Sequence, residues 1–223
     1  TSQVTVTVNA GAPSIISTTQ TPAPPVENDG QAIELGVKFR SSVPGIVTGV
    51  RFYKSTGNSG THTGELYSSA GIRLAQATFT GETASGWQQV NFSSPVAITA
   101  GATYIASYFS SAGNYTSTNN YFASAVTNGP LTGLADGTDG NNGVYTYSAT
   151  PAFPFSSYQK SNYWVDVVFN ASGTTGSTAP GIIVNSPAAG ATDAVLNKGI
   201  YSFFDRALDP GSVSGNTVIL QNG

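Results

Sequence analysis

From Ala32 to Phe39 the apolar residues Ile33, Leu35, Val37 and Phe39 alternate with Glu34, Gly36 and Lys38. A period of two puts one set on the buried face of a half-covered β-strand. The same pattern predicts strands at Ile46 to Tyr53, Thr63 to Ser68, Leu74 to Phe79, Trp87 to Phe92, Thr103 to Phe109, Val144 to Tyr147 and Asn162 to Asn170. Near the start, Val4, Val6 and Val8 share a face of a strand spanning Thr1 to Ala10. Pro44-Gly45, Ser85-Gly86, Ala100-Gly101 and Asp139-Gly140 supply turns between the runs. No stretch carries a helical period.

Short strands at this spacing predict an all-β fold, an antiparallel two-sheet sandwich of jelly-roll-like type, because each sheet must cover its apolar face with another layer. The Pro-rich segment Gly11 to Pro25 reads as an extended connection with at most a short edge strand at Ser14 to Ser17. A Gly/Ser/Thr linker over 172–179 separates the sandwich, residues 11–171, from a tail over 180–223. That tail predicts strands at Gly199 to Asp205 and Thr217 to Leu220, around an Asp209-Pro210 turn. It is too short for a whole immunoglobulin-like sandwich, which takes about 100 residues.

Charge changes the picture next. Only 9% of the 223 residues are Asp, Glu, Lys or Arg, against a usual share of about 25%. A polar, uncharged surface of this kind suits exported β modules. A net charge of −3 without a basic stripe argues against nucleic acid as a partner. No apolar run is long enough to insert as a membrane helix, and no basic-then-apolar leader opens the chain. Cysteine and methionine are absent, so thiolate chemistry and disulfides are excluded and the side chains most easily oxidised are missing.

Several segments together carry a resemblance: Glu34-Leu35-Gly36-Val37-Lys38-Phe39, Gly49-Val50-Arg51-Phe52-Tyr53-Lys54, Gly60-Thr61-His62-Thr63-Gly64, Gly86-Trp87-Gln88-Gln89-Val90-Asn91-Phe92, Asp136-Gly137, Asn142-Gly143-Val144-Tyr145 and Tyr163-Trp164-Val165-Asp166. Taken in order over about Gly11 to Asn170, they resemble a bacterial domain of unknown function, DUF family 4082. The tail, with Ser186-Pro187-Ala188-Ala189-Gly190-Ala191-Thr192 and Phe203-Phe204-Asp205-Arg206, resembles the first half of a bacterial Ig-like domain. Residues 1–10 look like the last strand of a preceding Ig-like domain. These resemblances imply a slice through a tandem array in a large exported protein, with neighbouring Ig-like modules as partners and strand exchange as one way of joining them.

Candidate chemistry is sparse. His62 is the lone histidine, and without a second His or any Cys it lacks the companions of a catalytic zinc. It is expected in a turn, bonded to nearby backbone, with a binding role as the alternative. No Gly-x-Ser-x-Gly elbow marks a nucleophile, so the chain is expected not to be an enzyme. Glu34, Lys38, Arg51 and Asp166 each lie on the polar side of a predicted strand and are expected to form a surface ion network if those strands are neighbours.

Glu27-Asn28-Asp29-Gly30 and the run from Asp136 through Asp139 and Asn141 to Gly143 have the composition of a structural calcium site, with Asx turns as the plainer alternative. Trp87 alternates with Gln89 and Asn91, opposite Val90 and Phe92, which permits an exposed ring. The stretch Asn114 to Phe122, with Tyr115, Asn119 and Tyr121, reads as a recognition loop suited to a glycan or cell-wall polymer. The expectation is a non-catalytic, structural or adhesive module of an extracellular or cell-surface bacterial protein, with a carbohydrate-binding module of a secreted enzyme as the alternative.

Overall fold

The computed structural model describes residues 13–22 and 26–171, together with the backbone of Ile182–Ser186 and Tyr201–Phe204. The chain divides into two compact units, Ala12–Ser172 and Thr1–Gly11 with Gly173–Gly223. In the first unit lie β1 (Val26–Asn28), β2 (Ile33–Ser41), β3 (Gly45–Lys54), β4 (His62–Ser68), β5 (Arg73–Thr78), β6 (Gly86–Ile98) and β7 (Tyr104–Ser110). These are followed by β8 (Asn114–Thr116), a 3-10 turn at Tyr121–Ala123, β9 (Val126–Asn128), β10 (Leu131–Gly133), β11 (Val144–Tyr147), β12 (Ser156–Ser157) and β13 (Val165–Ala171). No helix among the described residues is long and apolar enough to cross a membrane.

The strands form an antiparallel two-sheet sandwich. The larger sheet has eight strands, ordered β12-β11-β2-β7-β4-β5, with β10 pairing β2 and β9. The smaller has three, ordered β13-β3-β6. The chain crosses between them at β2–β3, β3–β4, β5–β6 and β6–β7, the alternation expected of a jelly-roll-like fold. Leu35, Val37, Phe39, Leu66, Ala106 and Tyr108 from the larger sheet meet Val50, Phe52, Val165, Val167 and Phe169 from the smaller in one buried core. Phe52 and Tyr108 stack across it with ring centroids 4.3 Å apart. Gly64 lies where any side chain would run into Val50 of the other sheet.

Both outer faces are partly covered, and this departs from simple alternation. Glu34 is fully buried although it points away from the core. The segment 148–155 lies over it: the Ala152 amide donates to Glu34 Oε2 at 3.3 Å, and Phe153 meets Tyr67 edge-on at 5.5 Å. On the smaller sheet, the segment from Ser14 covers the outer side of β13. It forms no strand. Ile15 and Ile16 donate their amides to Asp166 Oδ1 and Oδ2 at 2.8 and 2.9 Å.

The expected surface network of four charges is therefore corrected. Arg51 and Asp166 are direct partners on β3 and β13, 2.7 Å apart and sealed from solvent. Glu34 and Lys38 belong to the other sheet and do not join them.

In the second unit, β14 (Ile182–Ser186) pairs antiparallel with β15 (Tyr201–Phe204). The remaining tail strand at Thr217 to Leu220, the strand at Thr1 to Ala10 and any exchange between modules lie outside the described residues.

Candidate functional site

The eight-stranded sheet is wider than the three-stranded one, so its β11 edge has no opposing strand to cover it. Tyr145 and Tyr147 stand opposite Leu35 and Ile33 in the β11–β2 register, and cross-strand partners share a face. They therefore point to the core side of the sheet, Tyr145 packed against the margin of the core and Tyr147 exposed beyond it. The space is closed instead by a ribbon of β1 and β8, with Glu27 opposite Tyr115, and by the chain before β13. The result is a cleft of about 430 Å³ lined by Glu27, Asp29, Tyr115, Tyr147, Tyr158 and Tyr163, among others.

Its rings form a chain of edge-on contacts: Tyr115 to Tyr163 at 5.8 Å, Tyr163 to Tyr145 at 6.4 Å and Tyr145 to Tyr147 at 5.6 Å. Edge-on packing holds each ring by its neighbour's quadrupole and fixes its orientation. Asp29 Oδ2 accepts both the Tyr115 hydroxyl at 3.0 Å and the Tyr147 hydroxyl at 2.7 Å. The Asp29 hydrogen bond, with some burial, pushes the Tyr147 hydroxyl up to about 12. Burial first, then Asp29, raises Tyr115 as well. Both phenols stay protonated as donors. Ser117 Oγ donates to Glu27 Oε1 at 3.2 Å, and Ser161 Oγ to Asn119 Oδ1 at 2.9 Å.

The far wall is held in an unusual backbone. Gln159 and Lys160 are consecutive residues at φ +48 and +51, and Trp164 lies at φ +54. A left-handed conformation costs a residue with a side chain about 1–2 kcal/mol. The surrounding bonds hold it there: Asn120 N donates to Gln159 O at 2.8 Å, Phe122 N to Lys160 O at 3.0 Å, and Thr118 bridges Asn162 in both directions. Tyr158 is left largely exposed at the rim.

Of the residues singled out in the sequence, Tyr115, Asn119, Glu27 and Asp29 line this cleft, the last two beside hydroxyl groups. Tyr121 lies away from it, edge-on to Phe122 and against Trp164. Trp87 is half-buried rather than a free ring: Tyr53 meets it edge-on, Arg51 lies 4.3 Å over its face, and its Nε1 donates to Gln20 O.

His62 opens β4, is fully buried and packs on Phe52. It bonds side chains instead of turn backbone. Nδ1 lies 2.9 Å from Glu82 Oε1, itself paired with Lys54 at 2.7 Å, and Nε2 lies 2.9 Å from Asn58 Oδ1. Burial lowers the His62 pKa, with Glu82 opposing. A neutral ring that donates from Nδ1 fits a half-turn of the Asn58 amide, which brings the otherwise unpartnered Nδ2 to Nε2.

The other acidic loop binds within the protein. Asp136 Oδ1 accepts Asn142 N at 2.9 Å, Asp139 pairs with Arg40 at 2.6 Å and accepts Thr103, and Asn141 Nδ2 donates to Ser157. Those contacts from Thr103 and Arg40 hold the Asp139 carboxyl below its ordinary value. Among the described residues no three His, Asp or Glu side chains come together as metal ligands.

Tyr145, Tyr147, Tyr158 and Tyr163 were not separable from core aromatics by sequence. The available signal was Tyr145 and Tyr147 sharing one face of a short strand. A family model described as a domain of unknown function, DUF4082, matches residues 19–165. No curated protein matches the chain.

Proposed function

The chain belongs to the DUF4082 family, whose function is unknown, and we propose that the sandwich is a non-catalytic adhesive module of an exported bacterial protein that holds a carbohydrate in the tyrosine cleft. The observation that carries this reading is the pair of phenols fixed on one carboxylate, Tyr115 and Tyr147 on Asp29, within a ring-lined cleft. Aromatic faces stack on the apolar faces of sugar rings, while carboxylates and phenols accept from and donate to hydroxyls. The volume falls in the range of ligand clefts, about 300–1,000 Å³.

Charge narrows the ligand. Glu27 and Asp29 line the cleft and no Lys or Arg does, so acidic sugars are repelled and neutral or amino-bearing sugars are favoured. The low overall charge and absence of cysteine and methionine support export. His62 is buried in its own network and does not line the cleft.

The test is a glycan array with polysaccharide pull-down, comparing the wild type with Tyr147→Ala. Retention of neutral or amino glycans that the variant loses is expected. No retention by the wild type at high protein concentration, or equal retention by both, overturns the proposal.

A further inference from the structure

On the outer face of the larger sheet, beneath the 148–155 segment, two carboxyls are buried together. Glu65 stands directly opposite Ser107 across the β4–β7 ladder, and Ser107 stands opposite Gly36 of β2. Glu34 is two residues along on the same face of β2, facing both Glu65 and Ser107. Thr63 and Tyr67 flank Glu65 on the same face of β4. Glu34, Glu65 and Ser107 have no solvent exposure, and Thr63 and Tyr67 have almost none.

One oxygen of each carboxylate is used: Glu34 Oε2 accepts Ala152 N and Glu65 Oε1 accepts Gln76 Nε2 at 3.1 Å. The others are orphaned. Glu34 Oε1, Glu65 Oε2, Ser107 Oγ, Thr63 Oγ1 and Tyr67 OH have no partner in good hydrogen-bond geometry, although Ser107 and Glu65 lie within reach of Glu34, Thr63 within reach of Glu65 and Arg73 within reach of Tyr67. They make five of the eleven such buried side-chain atoms among the described residues, gathered on one patch of three adjacent strands. Leaving a buried polar group unpaired costs about 1–3 kcal/mol, and more for a charged one, so five together point to a missing occupant. Gly36 lets Pro154 close over the patch, with Pro154 Cγ 3.2 Å from where a Cβ would stand.

We propose that Glu34, Glu65 and Ser107, completed by Thr63 and Tyr67, hold a hard cation of the calcium type between β2, β7 and β4. Every atom offered is oxygen, two bear charge, and sulfur and imidazole are absent, the donor set of a hard divalent ion. Without a cation the pair has one other route to neutrality. Burial, and for Glu34 the neighbouring Glu65, raises both carboxyls, Glu34 well above its ordinary value, the direction that favours a shared proton. Arg73, on β5 opposite Tyr67, is exposed and lies within reach of the Tyr67 hydroxyl. This site is independent of the tyrosine cleft and of any sugar.

The experiment is thermal unfolding of the chelator-washed protein at pH 7.5, titrated with calcium. At a hundredfold excess over its dissociation constant, a ligand of the folded state raises the midpoint by roughly 5–10 °C in a domain of this size. The wild type is expected to show such a saturable rise, Glu65→Gln to lose it, and Ser107→Ala, a milder change, to need severalfold more calcium. If Glu65→Gln fails to fold, terbium replaces calcium: its emission, excited through tyrosine, drops in Tyr67→Phe. An unmoved wild-type midpoint, a rise that Glu65→Gln retains, or terbium emission indifferent to Tyr67→Phe overturns the site. The first would leave a proton-sharing pair, the others an ion bound elsewhere.

Discussion

Asp166 stands directly opposite Arg51 in the ladder of β13 against β3, and the two side chains meet at 2.7 Å with solvent excluded from both. Asp166 also receives the amides of Ile15 and Ile16, and Arg51 donates to the Ile16 carbonyl. The pair clamps the Pro-rich segment onto the smaller sheet. Complete burial raises the Asp166 carboxyl while Arg51 and the two amides oppose it.

Removing one partner of a buried pair strands the other, at a cost of about 3–5 kcal/mol. Asp166→Ala is therefore expected to lower the urea unfolding free energy by about that amount and to speed amide exchange at Ile15 and Ile16. Loss of less than 1 kcal/mol, or unchanged exchange at those amides, contradicts the clamp.

Gly64 tests the contact between the sheets. A methyl group there meets Val50 and comes within 3.1 Å of Phe79 and 3.3 Å of Val90. Overpacking a filled core costs about 1–3 kcal/mol, so Gly64→Ala is expected to destabilise by that much, and Val50→Ala to recover part of it in the double variant. Simple additivity of the two changes would show that the sheets do not meet at that point.

His62 sets a pH dependence whose sign follows from its lowered pKa. The unfolded chain takes up a proton near pH 6.5 and the folded chain only at lower pH, so this contribution is present above 6.5 and is lost as pH falls toward the folded value. The raised Glu34 and Glu65 act oppositely in metal-free protein, being fully stabilising below their unfolded values and losing this contribution as pH rises through their folded ones. The difference between wild type and His62→Gln isolates the first effect. Wild type is expected to lose stability against the variant between pH 7.5 and 5.5, and parallel curves would count against a neutral, buried ring.

Much of the sandwich was legible because period-two burial is imposed by the pleat. The strands beginning near Ile33, Ile46, Thr63 and Trp87 follow from alternation alone. The three-residue strands at Val26, Asn114, Val126 and Leu131 did not, since three residues carry no readable period. Glu34 and Asp166 were assigned to a wet face because alternation assumes that only one side of a sheet is covered. Segments 148–155 and 13–17, distant in sequence, cover the other.

The cleft was half legible. Tyr115, Asn119, Glu27 and Asp29 stood out in polar loops, whereas Tyr145 and Tyr163 became site residues only because one sheet overhangs the other. Trp87 failed as an exposed ring because Arg51 and Tyr53, its neighbours on the same face, pack onto it.

Asp29 holds the Tyr147 phenol up at about 12 through its hydrogen bond. In Asp29→Asn the Tyr147 resonance, followed by carbon NMR of labelled tyrosine, is expected to titrate nearer the ordinary value of 10. An unchanged titration would show that Asp29 does not govern the ring.

The central claim is tested most directly by amide chemical-shift mapping of the folded protein against neutral, amino and acidic sugars. Neutral or amino sugars are predicted to move residues 27–29, 115–119, 145–147 and 158–163 in a saturable way, with acidic sugars weaker throughout. Saturable shifts confined to another surface, or none from any sugar at millimolar concentration, would contradict it.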